Sequence, residues 1–237
     1  MVELSLKGDI IRIIKMFFSP GEVFKQIKEK QEGIFWITPL LIMLIAAVVY
    51  SSLVLPIEIS DQIARTEAHP ELEEEQIETR ITYLETSFHF FSSVFAEIGR
   101  QLIYYLVIAF LLSVLQVYLG GQSVGYGKFF TGVIYVGMIK SLGLIVEGII
   151  QYSQSSLDHG LHLASVFPEI EGFFAHYLQT ISLFGFWQVL LFGLLLQVYY
   201  GYSKLKSFSI VFSLWLLWNV VLAYISSLQA EIWEDVR

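Results

Sequence analysis

The sequence predicts an all-α protein, a polytopic membrane bundle of five transmembrane helices. Of its 237 residues, 55% are hydrophobic and only 15% are charged, whereas a soluble domain carries about 25% charged residues. In water such a chain would expose larger apolar patches than soluble monomers tolerate. The apolar residues also gather in five stretches of roughly 20 residues, the length that crosses the hydrocarbon core of a bilayer. The sequence therefore predicts that this chain lies in a lipid bilayer.

The five stretches define a membrane domain over residues 34–229, between a tail at 1–33 and a tail at 230–237. Only the third stretch carries charged residues, Lys140 and Glu147. A long acidic connection, 56–101, separates the first two. The predicted spans are residues 34–55, 102–119, 129–150, 181–200 and 208–228.

Lysine and arginine residues near the ends of the spans predict the orientation. The N-terminal tail and the turns after the second and fourth spans together hold nine, and the opposite side holds four. The side richer in these residues is normally cytoplasmic. We therefore expect a cytoplasmic N-terminus and an external C-terminus (N-in/C-out), in the cell membrane if the source is prokaryotic.

The cytoplasmic tail predicts two short amphipathic helices. Ser19, Pro20 and Glu22 have the spacing of a capping box that begins the second helix. Upstream, apolar residues recur at helical spacing. This stripe is typical of a segment in the membrane interface, and packing against the bundle is an equal alternative. Its members are Ile10, Ile13, Ile14 and Phe17.

The acidic outer connection is predicted to end in a long helix that continues into the second span. Its apolar residues alternate at spacings of four and three, as in a coiled coil, so the stripe needs a partner from this chain or from a second copy. They are Ile77, Ile81, Leu84, Phe88, Phe91, Phe95 and Ile98. Near the end of this helix, Glu97 and Arg100 are three residues apart, which favours an outer ion pair.

Lys140 and Glu147 are the predicted intramembrane polar site. Ionisable residues inside the membrane are costly and usually face the bundle interior. Seven residues are close to two helical turns, so both would share one face about 10 Å apart. They could form a relay or an ion or substrate site; alternatively Lys140 pairs structurally and Glu147 lies near the outer interface. A wider polar seam would add Gln116, Gln188, Gln197 or Asn219.

Other patterns suggest a repeat and close helix packing, and they exclude several classes of site. Residues 115–120 and 196–201 match at five of six positions, which favours a parallel repeat of two hairpins, with chance as the alternative. Gly137 and Ser141 form a small-xxx-small pattern that permits close helix approach. The chain has no cysteine and a net charge of −8, which argues against thiolate chemistry and against nucleic acid. We expect no catalytic residue, cofactor or metal site.

Three stretches resemble the Yip1 domain family in its prokaryotic branch. They are residues 18–28 (FSPGEVFKQIK), 35–41 (FWITPLL) and the turn from 120 to 135. The resemblance implies a five-span, N-in/C-out protein that is not an enzyme and acts as a scaffold or adaptor through protein partners or self-association. The Asp-Leu-Tyr-Gly-Pro motif of eukaryotic members is missing, so their Rab GTPase partnership is not carried over. The alternative is a small transporter or channel subunit that uses the polar residues of the third span.

Overall fold

The computed structural model describes residues 6–29, 37–70, 72–86, 89–157 and 159–234, and the secondary structure among them is helical apart from one isolated β-bridge between His162 and Ser182. The helices are α1 (Leu6–Phe18), α2 (Pro20–Glu29), α3 (Ile37–Glu67), α4 (Glu74–Thr86), α5 (His89–Leu119), α6 (Tyr126–Gln154), α7 (Gly172–Thr180), α8 (Leu183–Tyr200) and α9 (Lys204–Glu234). A short 3₁₀ turn, Leu163–Ser165, precedes α7.

Five of these helices are long and apolar enough to cross a membrane: α3, α5, α6, α8 and α9. The predicted number of spans and the all-α class are therefore confirmed. The helices extend beyond the apolar stretches that predicted them. Helix α3 continues through Pro56 to Glu67, and α5 begins at His89. The backbone hydrogen bonds of a helix form between its own residues, so a helix can continue beyond the end of its apolar stretch.

The predicted helix through the outer connection is described in two parts. Helix α4 ends at Thr86 and α5 begins at His89. Phe88, a member of the predicted stripe, lies outside the described residues, so the continuity of this helix stays a prediction. Helix α4 has no fully buried side chain, but its stripe members Ile77, Ile81 and Leu84 are partly buried, unlike the exposed residues around them.

The N-terminal segment forms the two predicted amphipathic helices, which meet at Ser19. The Ser19 amide donates to the Lys15 carbonyl (2.7 Å), and the Ser19 carbonyl accepts from the Glu22 amide (3.0 Å). Proline fits the first position of α2 because that position needs no amide donor. The Glu22 carboxylate makes an ion pair with Lys15 of α1 (3.3 Å), so this acidic residue joins the two helices.

The chain divides into two compact units. The first unit comprises Met1–Ile45, Ile98–Leu142 and Phe184–Trp215. In its core lies α6, whose residues from Phe129 to Ile139 are almost all buried. Aromatic residues fill much of this core, and the Phe129 ring stacks on Tyr200 with centroids 4.9 Å apart.

The second unit comprises Ala46–Glu97, Gly143–Leu183 and Leu216–Arg237. Small residues bring its helices together, since Ala46, Ala47 and Ala223 are fully buried. A Cβ atom on Gly148 of α6 would lie 3.1 Å from the Tyr50 ring of α3. Two backbone hydrogen bonds of 2.9 Å, between residues 161–163 and 181–183, close the connection that contains α7.

Candidate functional site

Helices α5 and α6 come unusually close in the first unit because α6 has a glycine at the contact. A Cβ atom on Gly137 would lie 2.7 Å from the ring of Tyr105, which is completely buried. The Tyr105 hydroxyl donates to the Gly137 carbonyl at 3.4 Å. The small-xxx-small pattern that begins at Gly137 therefore does permit close approach, as predicted.

A buried polar network surrounds this contact and joins three spans. The Gln188 side chain of α8 donates to the Tyr105 hydroxyl of α5 (2.9 Å) and, at 3.5 Å, to the Val136 carbonyl of α6. The Ser141 hydroxyl of α6 lies 3.4 Å from the Gln101 side-chain oxygen of α5. These groups are uncharged, so they can satisfy one another at membrane depth without the cost of a buried charge. We call Gln101, Tyr105, Ser141 and Gln188 the polar network.

Sequence reasoning found only part of this network. Gln188 was among the residues of the predicted polar seam, and Ser141 was noted as a small residue. Gln101 was missed, and Tyr105 was recognised only as a residue that continues the apolar stripe of the connection into the second span. The signal for a shared polar role is a spacing of four, which places both residues on one face of α5. Tyrosine is so frequent in this chain, with 13 copies, that the spacing alone did not single it out.

Lys140 lies in the first unit, next in sequence to the Ser141 member of the polar network. Its ammonium group is 5.3 Å from the centre of the Tyr104 ring. An aromatic face attracts a cation within about 6 Å, and more strongly away from water. This contact gives the lysine a favourable position inside a span.

Glu147, the second predicted member of the intramembrane site, belongs to the second unit. Its carboxylate oxygen lies 3.3 Å from the position that a Cβ atom on Gly160 would occupy, so the connection after α6 packs closely against it. The structure thus describes different neighbours for Lys140 and Glu147. Their joint action in one site stays a prediction.

The predicted outer ion pair between Glu97 and Arg100 also stays a prediction. Within the second unit, Glu97 of α5 is close enough to Glu58 of α3 for the two carboxylates to repel each other. Glu58 was counted only as one acidic residue of the connection, because α3 was expected to end at residue 55. Its proximity to Glu97 depends on the continuation of α3 past Pro56.

Three lysines of the first unit bind carbonyl oxygens at the C-terminal ends of other helices. Lys206 of α9 donates to the Leu119 carbonyl of α5 (2.7 Å). Lys28 of α2 donates to the Val198 carbonyl of α8 (2.7 Å), and Lys128 of α6 donates to the Lys28 carbonyl (3.0 Å). The last carbonyls of a helix have no partners within the helix and carry partial negative charge, so a lysine stabilises them. We call these three residues the lysine cluster.

The turns that follow α5 and α8 also contact each other. The Gln122 amide donates to the Tyr200 carbonyl (2.9 Å), and the Gln122 side chain accepts from Lys28 (2.6 Å). Gly120 and Gly201 end the two helices with φ of +71° and +69°, a conformation typical of glycine after a helix. The matching segments of the predicted repeat therefore end their helices in the same way.

One aromatic residue between α8 and α9 completes this region. Burial raises the pKa of the Tyr202 hydroxyl above its usual value, and the Lys206 ammonium lies 4.1 Å from the centre of its ring. A Cβ atom on Gly121 would lie 2.7 Å from the same ring. The sequence analysis used these lysines only to predict orientation. Their hydrogen-bond partners could not be predicted, because they depend on which helix ends meet in the fold.

Among the residues that the structure describes, no group of three or more His, Cys, Asp or Glu side chains is arranged to hold a metal ion. In the connection between α6 and α7, the Nδ1 atom of His162 lies 3.3 Å from the Ser165 hydroxyl. Its ring therefore takes part in the local packing of the connection.

A comparison with protein families matches residues 14–225 to the Yip1 domain. The matched segment includes α2, the first four spans, most of the fifth span, the polar network and the lysine cluster. Comparisons with curated proteins and with solved structures found no match. Members of the matched family are generally non-enzymatic membrane proteins of trafficking. The chain is therefore a multi-pass membrane protein that belongs to the Yip1 domain family.

Proposed function

We propose that this protein is a non-enzymatic membrane scaffold or adaptor of the prokaryotic branch of the family, acting in membrane organisation or a trafficking-like process. The observation that carries the proposal is the Yip1 domain match over residues 14–225. The proposed orientation has the N-terminus in the cytoplasm and the C-terminus outside. It is supported by the nine lysines and arginines assigned to one side and the four assigned to the other.

The surface formed by α2 and the two adjoining turns is the proposed docking surface for a protein partner. Helix α2 buries Val23, Phe24 and Ile27, and its other face is exposed and polar. The lysine cluster fixes this helix to segments about 100 and 170 residues away in the sequence. A surface held in this way keeps its shape before a partner arrives, which reduces the entropy lost on binding. Its exposed members are Glu22, Lys25, Gln26, Glu29, Ser123 and Lys204.

Photo-crosslinking in the native membrane tests this proposal. A photoreactive amino acid at Gln26 samples the docking surface, and one at Glu78 samples the exposed side of α4. The same group at Ile103, which is exposed on the membrane-spanning part of α5, serves as the lipid-facing control. We expect one reproducible heterologous partner at Gln26 or Glu78 that is absent at Ile103.

A pair of variants tests whether partner capture depends on the docking surface being held in place. Lys28→Met removes the two side-chain hydrogen bonds from α2 to Gln122 and to the end of α8, whereas Arg65→Met changes an exposed basic residue of the second unit, outside the docking surface. We expect only the first variant to weaken capture at Gln26. Capture of other copies of this chain alone, through the spans, would contradict the adaptor proposal.

The alternative function is a small transporter or channel subunit. The buried polar network, with Lys140 beside it, favours this alternative because polar groups inside the membrane often mark a solute path. Purified protein in liposomes tests it. Solute flux that is lost in Lys140→Met and in Glu147→Gln would support transport and would refute the adaptor role.

A further inference from the structure

The N-terminal helix α1 lies beside the membrane-spanning helix α8. The Phe17 ring of α1 contacts Trp187 with centroids 5.7 Å apart, and the Phe24 ring of α2 contacts Tyr199 at 6.5 Å. Twelve residues of α8 separate these two contacts, which corresponds to about 18 Å along the helix axis. The junction from Phe17 to Phe24 therefore follows α8 between Tyr199 and Trp187, which lies four residues after the start of α8 at Leu183.

Helix α1 is apolar on two adjoining faces. On the first, Met16 is completely buried, and Ile13 and Phe17 pack against the core of the first unit. The second face is exposed, and Phe18 at its end is 82% exposed. Large apolar side chains grouped in this way are unfavourable in water. The members of the exposed face are Ile10, Ile11, Ile14 and Phe18.

One charged pair and the backbone at the junction of α1 and α2 are satisfied within the chain. Lys15 pairs with Glu22 across the junction of the two helices (3.3 Å), and the Ser19 amide and carbonyl are both hydrogen-bonded. An ion pair and a satisfied backbone are what a segment needs to leave water for lipid. The pairing of Lys15 with Glu22 lowers the cost of placing the junction of α1 and α2 next to lipid.

The exposed face of α1 has the same character as the lipid-facing side of the span beside it. On α8, Leu183 and Phe186 are exposed next to Trp187. An exposed apolar side chain at that level of a membrane span contacts acyl chains. Because Phe17 touches Trp187, the neighbouring Phe18 reaches the same level of the bilayer. This continuity with the surface of α8 identifies the lipid as what covers α1.

We infer that α1 is embedded in the bilayer beside α8, with Ile10, Ile11, Ile14 and Phe18 in contact with acyl chains. The chain thus has an additional membrane-embedded helix that does not count among its five spans. This inference moves the start of the membrane domain from residue 34 into the cytoplasmic tail, whose apolar stripe was predicted either to lie in the membrane interface or to pack against the bundle. It depends on α8 being a span and is independent of the proposed adaptor role.

Site-directed spin labelling of the full chain in vesicles tests the inference directly. The natural sequence has no cysteine, so a single introduced cysteine carries the only label. We choose Ile14→Cys and Phe18→Cys on α1, Phe186→Cys as the lipid-facing reference, and Lys25→Cys on the exposed face of α2 as the aqueous reference. Collision rates with oxygen and with a water-soluble nickel chelate are then compared in phosphatidylcholine–phosphatidylglycerol vesicles.

We expect labels at Ile14 and Phe18 to behave like the label at Phe186, with oxygen collisions exceeding nickel collisions several-fold, and the label at Lys25 to show the reverse. Equal collision with both reagents would place α1 at the headgroups and overturn the inference, as would values like those of Lys25. Low collision with both reagents, together with dipolar broadening between labels, would show that a second copy covers this face, which also overturns it. Ile10→Cys replaces any variant that fails to reconstitute.

Discussion

The contact between Gly137 and Tyr105 gives the sharpest prediction for stability. Gly137→Ala adds one carbon atom at a point 2.7 Å from the Tyr105 ring, and 2.8 Å from a second atom of that ring. The ring has little freedom to move, since it is completely buried and its hydroxyl accepts a hydrogen bond from Gln188 at 2.9 Å. We therefore expect the helices to separate or the network to break.

The loss of stability caused by Gly137→Ala is best measured against the same substitution at a second glycine of the first unit. Gly99→Ala, in helix α5, adds its carbon atom where nothing lies within 4 Å. Both substitutions gain about 1 kcal/mol in helix propensity, so this gain cancels when the two are compared. The remaining difference is the cost of overpacking, about 1–3 kcal/mol in favour of Gly99→Ala.

Equilibrium unfolding in mixed micelles with increasing dodecyl sulfate, followed by tryptophan fluorescence, measures this difference. In a Tyr105→Leu background the cost of Gly137→Ala is expected to fall to within about 0.5 kcal/mol of that of Gly99→Ala, because the two sites then no longer interact. Equal stability of the two alanine variants in the natural background would refute the argument from close packing.

Three further predictions concern hydrogen bonds and turn geometry. Gln188→Leu removes the amide that donates to the Tyr105 hydroxyl at 2.9 Å and is expected to lower the free energy of unfolding by about 1–3 kcal/mol. The double variant with Tyr105→Phe should recover most of this loss in the same unfolding assay. No recovery would argue that the two residues do not form a coupled pair. Lys206→Met removes the hydrogen bond from this lysine of α9 to the Leu119 carbonyl in the last turn of α5. We expect it to lower the free energy of unfolding by about 0.5–1 kcal/mol, whereas Lys204→Met, at an exposed position, should leave the unfolding midpoint unchanged. Gly121→Ala forces a residue with φ of +131° to carry a side chain and should cost at least about 1 kcal/mol, and a midpoint equal to that of the natural protein would contradict this.

The number and type of the helices could be predicted from the sequence because they depend on local patterns. Crossing a bilayer requires a long apolar stretch, and each of the five stretches formed a helix. The start of α2 at Pro20 was likewise visible, since the signals for a helix start lie within four residues. Helix ends were less predictable, because Pro56 lies inside α3 and does not end it.

The contacts between helices could not be predicted because they depend on which faces meet. Gln188 was recognisable as polar within a span, but its partner Tyr105 is 83 residues away. Lys28 was counted as one of nine positive charges, and nothing local indicates that it binds the end of α8. Only Ile10 and Ile14 of the predicted stripe belong to the exposed face of α1, because Ile13 and Phe17 pack against the core. The contact between Phe17 and Trp187, which shows the span beside α1, could not be predicted.

The lysine cluster also has a consequence for the order of events during synthesis. The end of α5 receives its lysine from residue 206, and Lys28 receives its carbonyl partner from residue 198. Both partners emerge from the ribosome long after the helices they stabilise. Until α8 and α9 have been inserted, α2 and the first hairpin lack these bonds, so the turn region acquires its final structure only when the last two spans enter the membrane.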